Sequence, residues 1–227
     1  MGSAMADMPG MTAGGAMASM AASGAPYGLL AAMWAVMMVG MMLPSAMPMI
    51  LLYSAVERKR ASGPLLRTSV FVFGYLVVWT GFALLAAGLQ KLLADVALIT
   101  PAMALASRTI AGGVMIFAGV YELTPLKQAC LRLCRGPVAF VTAHWRAGLS
   151  GALQMGVRHG LYCTGCCWAL MLLLFVGGVM NFAWILGLAA LILAQKLAPG
   201  GRRSALVMSW VIAAVAIGAG LFAITRA

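Results

Sequence analysis

Six long apolar runs dominate this sequence. They cover roughly residues 27–56, 66–90, 109–126, 161–180, 182–197 and 204–224. A helix needs about 20 mostly apolar residues to cross the hydrocarbon core of a bilayer, and most of these runs approach or exceed that length. Of the 227 residues, 64% are hydrophobic and 8% are charged, which lies outside the range of soluble globular domains. The sequence therefore predicts an all-α fold, a polytopic membrane helix bundle with about six transmembrane helices.

The composition divides the chain into two segments. Residues 1–26 consist mainly of Gly, Ala, Ser and Met and cannot bury a core, so we expect a disordered Met/Ala/Gly-rich tail. Residues 27–227 show no internal repeat, and their longest polar connection, about 127–157, is too short to form a soluble domain. We therefore predict a single transmembrane helical domain over 27–227, with the lipid bilayer as its surroundings.

The formal net charge of +11 is unevenly distributed. Most of the 15 lysines and arginines follow the first, third or fifth apolar run: Arg58, Lys59, Arg60, Arg67, Lys127, Arg132, Arg135, Arg146, Arg158, Lys196, Arg202 and Arg203. The opposite side has Lys91, Arg108 and Arg226. Because cytoplasmic connections carry an excess of basic residues, we predict a multi-pass protein of the bacterial inner (cell) membrane with both termini outside. The charge then reflects topology and lipid contact, not a nucleic-acid partner.

All five cysteines fall in two groups on the predicted cytoplasmic side. Cys130 and Cys134 are four residues apart in 126–135, a segment that we expect to be helical, so both sulfurs would share one helix face. In the stretch RHGLYCTGCC, a helix would place four further side chains on a common face: His159, Cys163, Cys166 and Cys167. The two groups could meet and offer five thiols and an imidazole to one centre.

Three roles for these cysteines are compatible with the sequence. Thiolate and imidazole ligands suit Zn(II) in a closed tetrahedron and Cu(I) at lower coordination numbers. The CTGC stretch from Cys163 to Cys166 is also a motif of thiol redox chemistry, and free cysteines often serve as apolar packing. A structural disulfide is disfavoured on the predicted cytoplasmic face, which is reducing.

Methionines provide a second soft pattern. Met33, Met37 and Met41 recur every four residues in the first apolar run, so they form one stripe that ends near Pro44 and Pro48. Those prolines predict a kink or a break, beside which freed carbonyls require a cavity. Thioethers select Cu(I) over hard cations, which predicts an ion route, although methionines that fill gaps between helices give the same pattern. The tail methionines present a similar choice between a Cu(I) trap and low-complexity sequence: Met5, Met8, Met11, Met17 and Met20.

Three motifs together resemble a known family. They are MMLPSAMPMILLY, GVYELTPLKQACLRLCRGP and HWRAGLSGALQMGVRHGLYCTGCCWALMLLLFVGGVMN. Over about residues 27–198 the chain is similar to an uncharacterised bacterial family of predicted metal-binding integral membrane proteins, a domain of unknown function. The resemblance implies a polytopic membrane protein with a metal site. It also implies that the following residues belong to the family motif: Cys130, Cys134, Arg158, His159, Cys163, Cys166 and Cys167.

The leading hypothesis is a membrane protein that binds a soft metal ion for transport, delivery or homeostasis. Copper as Cu(I) is preferred, because the methionines serve Cu(I) and not Zn(II), which remains the second candidate. A metallochaperone or a membrane complex is a possible partner. The alternatives are a membrane thiol-disulfide oxidoreductase that uses Cys163 and Cys166, and a structural subunit without metal. The chain has no phosphate-cradling glycine-rich loop followed by lysine, and no residue is assigned a catalytic role.

Overall fold

The described part of the chain is a helical bundle. A computed structural model describes residues 26–60, 63–100, 104–197 and 201–226. Its helices are α1 (Tyr27–Arg60), α2 (Pro64–Asp95), α3 (Arg108–Glu122), α4 (Pro125–Arg135), α5 (Pro137–His144), α6 (Gly148–Leu172), α7 (Leu174–Gly177), α8 (Phe182–Leu197) and α9 (Gly201–Thr225). The predicted all-α class is confirmed. The predicted tail lies outside the described residues, apart from Pro26.

The number of membrane-crossing segments is less clear than the class. Four described helical stretches are long and apolar enough to cross a membrane: Tyr27–Arg60, Pro64–Asp95, Gly148–Gly177 and Arg203–Thr225. Helices α3 and α4 together would make a fifth, but they are bent by 65°. Helix α8 is apolar but has 16 residues. Length and composition therefore support four or five spans, and the count of six stays a prediction.

Helix α6 begins earlier than the apolar run that predicted it. The hydropathy pattern starts at residue 161, whereas the helix starts at Gly148 and ends at Leu172. Its first half presents small and apolar side chains, including Ala152 and Met155, to the interior, and polar ones such as Gln154 to the outside. Gln154, Arg158 and His159 interrupt the apolar pattern of this half, so the apolar run begins only after them. Cys163 consequently lies inside α6 and not at its N-terminal end.

Helix α1 continues through both of its prolines. Pro44 and Pro48 lie inside the uninterrupted helix Tyr27–Arg60, so the predicted break does not occur. Near the prolines, side-chain hydroxyl groups donate hydrogen bonds to a backbone carbonyl oxygen of α1. The carbonyl of Met42 accepts hydrogen bonds from Ser45 Oγ at 2.8 Å and from Tyr75 Oη at 3.0 Å. The hydrogen bond from Tyr75 joins α2 to α1 at this level.

Glycines allow two helix pairs to approach closely. Across α2 and α6, a Cβ on Gly74 would come within 2.6 Å of the carbonyl oxygen of Leu153. Across α3 and α9, a Cβ on either Gly112 or Gly220 would come within 2.6 Å of the other residue's carbonyl oxygen. Small residues at crossings are the usual device for packing helices where the hydrophobic effect contributes little. These contacts fix α6 against α2 and therefore fix the position of its cysteines.

The bend between α3 and α4 is encoded locally. Thr124 caps α4, because its Oγ1 accepts a hydrogen bond from the backbone N–H of Lys127 at 3.3 Å. Pro125 occupies the start of the new helix, where its missing N–H costs nothing. The helix expected over 126–135 is therefore present as Pro125–Arg135. The bend turns α4 towards α6, which brings the two groups of cysteines together.

Candidate metal centre

Helix α6 buries its whole predicted ligand face. His159, Cys163, Cys166 and Cys167 are all buried. The thiols of Cys166 and Cys167 donate to the carbonyl oxygen of Cys163 at 3.1 Å and 2.9 Å. A helix turn therefore supplies hydrogen bonds to two of its own thiols. The shared face that the sequence predicted is present.

Helix α4 brings its cysteines against that face. Cys134 Sγ lies 3.8 Å from Cys166 Sγ. Cys130 lies against the backbone, since a Cβ on Gly165 would come within 2.9 Å of its Sγ. The absence of a side chain at Gly165 therefore allows Cys130 of α4 to approach α6 closely. We refer below to Cys134, Cys163, Cys166 and Cys167 as the thiol cluster, with Cys130 at its edge.

A methionine from α1 extends the sulfur contacts to a third helix. Met42 Sδ lies 4.0 Å from Cys167 Sγ, and the Met42 side chain is fully buried. The predicted stripe behaves differently, because Met33 and Met37 are half-buried and Met41 is buried. Among the described methionines of α1, Met42 is the one whose sulfur contacts a cysteine sulfur. The adjoining residue, rather than the predicted stripe, provides the contact.

The thiol of Cys163 contacts an ammonium group and a phenol. Lys196 of α8 donates a hydrogen bond from Nζ to Cys163 Sγ at 2.9 Å, and another to Ser45 Oγ at 2.9 Å. The hydroxyl of Tyr75 lies 3.2 Å from the same sulfur. Cys163 therefore has an ammonium group and a phenol as neighbours. A thiolate formed at this position would be stabilised by the ammonium group of Lys196, because the single proton of Tyr75 is donated to the carbonyl oxygen of Met42.

A second buried polar network lies beside the first. Glu122 of α3 forms a salt bridge with Lys127 of α4. Gln195 of α8 donates to Glu122 Oε2 at 2.9 Å and accepts from Lys127 Nζ at 3.1 Å. The salt bridge therefore spans the bend between α3 and α4. Adjacent residues of α8, Gln195 and Lys196, therefore serve different networks.

His159 has an aromatic environment. Its ring centroid lies 5.4 Å from that of Phe140, 5.8 Å from that of Tyr75 and 6.2 Å from that of Phe71. Its Nδ1 is buried and has no hydrogen-bond partner among the described residues. The histidine shares the face of the thiols but shows no hydrogen bond to a sulfur in the described ranges. Its role as a ligand remains a prediction.

A cavity of about 680 Å³ leads to the cluster. Cys134, Lys196 and Ser45 line it, together with two arginines of α4, Arg132 and Arg135. Two of the groups that contact the thiols therefore also face a space large enough for a small ligand. Residues of α1, α4, α5, α8 and α9 line this space.

The donor set fits a soft ion better than a hard one. The polar contacts of the thiol cluster in the described ranges go to sulfur, hydroxyl, ammonium and backbone carbonyl groups, and not to a carboxylate. Thiolate and thioether sulfur favour Cu(I), whereas hard cations require oxygen ligands. No three His, Cys, Asp or Glu side chains of the described residues are arranged to hold a metal ion together. The present geometry therefore offers pairs of sulfurs, not a closed tetrahedral zinc site.

Several residues of this centre lie outside the set of ligands that the sequence predicted. The sequence assigns Lys196 to a basic connection, and Met42 adjoins the predicted methionine stripe without belonging to it. No sequence pattern assigns a role to Tyr75 or Ser45. The position of Lys196 at the end of an apolar run is a usable signal. An ammonium group that is buried there requires a polar partner inside the bundle.

Comparison with known proteins connects the chain to copper. A family model, PpoB2, described as "Copper chaperone", matches residues 31–220. No curated protein and no solved structure matches the chain. The match extends over all the cysteines and over α1 from its second turn, and its description names copper but does not mention a membrane. It supports the metal-binding part of the resemblance drawn from the sequence and names copper as the metal. This chain belongs to the copper chaperone family.

Proposed function

We propose that this chain is a multi-pass inner-membrane protein that binds Cu(I) at the thiol cluster and delivers or transports it. The observation that carries the proposal is the convergence of sulfur from three helices: Cys134 on α4, Cys163, Cys166 and Cys167 on α6, and Met42 on α1. Such a donor set suits a soft monovalent ion. Membership of the copper chaperone family supplies the identity of the metal.

The distribution of side chains supports a membrane location. Large apolar side chains point outwards and are more than 60% exposed: Val36, Leu65, Leu85, Leu186 and Val215. Charged side chains are buried inside, namely Glu57, Glu122, Lys127 and Lys196. In water so much exposed apolar surface would promote aggregation, whereas in a bilayer it faces lipid. Ionisable groups inside a membrane bundle are costly and are usually retained for a function.

Contacts between the basic connections support the proposed topology. The guanidinium of Arg60 lies 5.0 Å from the ring centroid of Trp145, and Arg67 forms a salt bridge with Glu57 at 3.2 Å. Arg135 donates to Ser204 at 3.2 Å. These pairs join segments that the charge bias assigns to the cytoplasm. Reporter fusions at Ala61, Gly136 and Pro199 should all report as cytoplasmic, and an external signal at Gly136 would overturn the topology.

The proposed route uses the cavity and the methionines of α1. The cavity would admit copper from a cytoplasmic metallochaperone to Cys134, which lines it. Met42 continues the sulfur contacts from Cys167 into α1. Met33, Met37 and Met41 lie on the outer half of this helix in the proposed topology and would extend the route from there.

Metal analysis of purified protein tests the copper site. The full chain, purified without added metal, should contain about one copper ion per chain by mass spectrometry. A variant with Cys163→Ser, Cys166→Ser and Cys167→Ser should contain none. Cys130→Ser is the matched control, because Cys130 lies at the edge of the cluster, and it should keep most of the copper. Equal copper in the wild type and the triple variant would overturn the proposal.

The same preparation tests the oxidoreductase alternative. If the thiols are blocked by alkylation at the moment of cell lysis, a copper-binding protein should show Cys163 and Cys166 alkylated after the metal is removed. A thiol oxidoreductase would instead yield a fraction with a disulfide between these two residues, and no copper. That outcome would replace the proposed function with the redox one.

A further inference from the structure

We infer that Lys196 is a specificity-determining residue that makes the thiol cluster select a monovalent ion bound by two thiolates. This inference rests on the proposed function, since it concerns the ion that the same cluster takes. Lys196 is 7% exposed, and its ammonium group donates to Cys163 Sγ and Ser45 Oγ, both at 2.9 Å. A buried ammonium group requires a compensating anion.

The compensating anion for Lys196 is not a carboxylate. Two salt bridges occur within the described ranges, Glu57 with Arg67 and Glu122 with Lys127, and neither includes Lys196. The acceptors in contact with the Lys196 ammonium are a hydroxyl, which is neutral, and the sulfur of Cys163. The sulfur of Cys163 is therefore the group that can balance the charge. The chain has thus placed a fixed cation inside its soft-metal site.

This cation determines which loaded state is neutral. Cu(I) bound by two thiolates carries one net negative charge, which the ammonium of Lys196 cancels. Zn(II) bound by two thiolates is neutral by itself, so the ammonium would leave one uncompensated positive charge inside the bundle. Uncompensated charge is strongly unfavourable in a buried site. Zn(II) would reach neutrality beside Lys196 with three thiolates, but the described residues offer no group of three arranged to hold an ion.

The orientation of Lys196 is fixed from α1. Ser45 Oγ accepts from the ammonium and donates to the carbonyl oxygen of Met42 at 2.8 Å. The residue that holds the cation is therefore tied to the backbone of the residue whose thioether contacts Cys167. Removing the Ser45 hydroxyl would keep the charge of Lys196 but remove the hydrogen bond that orients its ammonium group. The two effects can be measured separately.

The experiment measures equilibrium affinity for Cu(I) and for Zn(II) in separate competition titrations of the full chain in detergent. Lys196→Gln removes the charge, keeps a hydrogen-bond donor and introduces no new metal ligand. Its Cu(I) affinity should fall by at least about tenfold, as expected for the loss of one close charge pair, while its Zn(II) affinity should stay equal or rise. Lys196→Arg should retain the preference for Cu(I). Lys91→Gln, on an exposed lysine of α2, should behave like the wild type.

The possible results separate this inference from the proposed function. Equal changes of the Cu(I) and Zn(II) affinities in Lys196→Gln, or no change in either, would overturn the role of Lys196 and leave the copper site intact. A wild type that binds no Cu(I) would overturn the proposed function itself. If Lys196→Gln does not fold, Ser45→Ala provides the test: a smaller loss of Cu(I) affinity with unchanged Zn(II) affinity supports the inference, and unchanged values for both ions contradict it.

Discussion

Two buried lysines in this protein are compensated in different ways. Lys127 forms a salt bridge with Glu122, and Gln195 bonds to both partners, so that this network is complete without any ligand. Lys196 instead contacts a hydroxyl and the thiol of Cys163. The first arrangement is closed and joins α3, α4 and α8. In the second arrangement the charge of Lys196 is balanced by anionic sulfur. We therefore propose that the first network stabilises the fold and that the second selects the metal ion.

The largest expected effect is on stability, at the closed network. Glu122→Gln would leave the ammonium of Lys127 buried without its carboxylate, which typically costs about 3–5 kcal/mol in free energy of unfolding. Denaturant unfolding of the full chain in detergent would measure it. Asp95→Asn, an exposed carboxyl at the end of α2, should change this free energy by less than about 0.5 kcal/mol. If Glu122→Gln lowered Cu(I) affinity as strongly as Cys163→Ser does, the division between the two networks would be wrong.

The next effect is on Cu(I) affinity, at the open network. Cys163→Ser keeps a side chain of similar size beside Lys196 but supplies no thiolate. We expect a loss of more than about a hundredfold, above the roughly 10–100-fold cost of changing groups that merely orient ligands. Competition titration with a Cu(I) chelator would measure the loss. Cys130→Ser should lose less than about tenfold, and a loss equal to that of Cys163→Ser would move the centre towards Cys130.

A smaller effect is expected at Met42. Met42→Leu conserves volume and apolarity, so it should cost less than about 1.5 kcal/mol in free energy of unfolding. Because the thioether contacts Cys167, its loss should lower Cu(I) affinity by less than about tenfold. The same titration and the same unfolding assay would measure both quantities. An affinity equal to that of the wild type would show that Met42 is packing.

The smallest effect on purified protein is expected for the predicted methionine stripe. Leucine at Met33, Met37 and Met41 together should leave expression and Cu(I) affinity near those of the wild type, because none of these sulfurs contacts the thiol cluster in the described structure. An ion route predicts that cells carrying this variant lose copper tolerance or accumulation. Growth and cellular copper content would measure that loss. If cells with this variant handle copper normally, the three methionines serve only in packing.

The sequence predicted the parts of the fold that depend on local patterns. Long apolar runs predicted the helices, and the stretch LKQACLRLCR before Gly136 and Pro137 predicted α4, which Thr124 and Pro125 begin. The period of an α-helix placed His159 and three cysteines on one face, and that face is buried. Each of these inferences uses residues within a few turns of one another, where backbone geometry alone fixes the relation.

The relations between distant segments could not be predicted in this way. The start of α6 at Gly148 depends on packing against α2, and the continuity of α1 through Pro44 and Pro48 depends on its neighbours in the bundle. The choice of Met42 over the adjoining stripe depends on how α1 is rotated towards α6. A rotation of one residue, about 100°, moves a side chain from one neighbour to another, and hydropathy is the same for all these methionines.

The sequence by itself thus determined the helical class, the soft chemistry of the donors and the face of α6 that presents them, because composition and helical period are local properties. Tertiary structure alone decided that the thiols of α4 and α6 meet, and that Gln195 completes one charged network while Lys196 enters the other. Those partners are 32 to 151 residues apart along the chain. Charge compensation in a buried site depends on distance in space, and only the packing of the helices sets that distance.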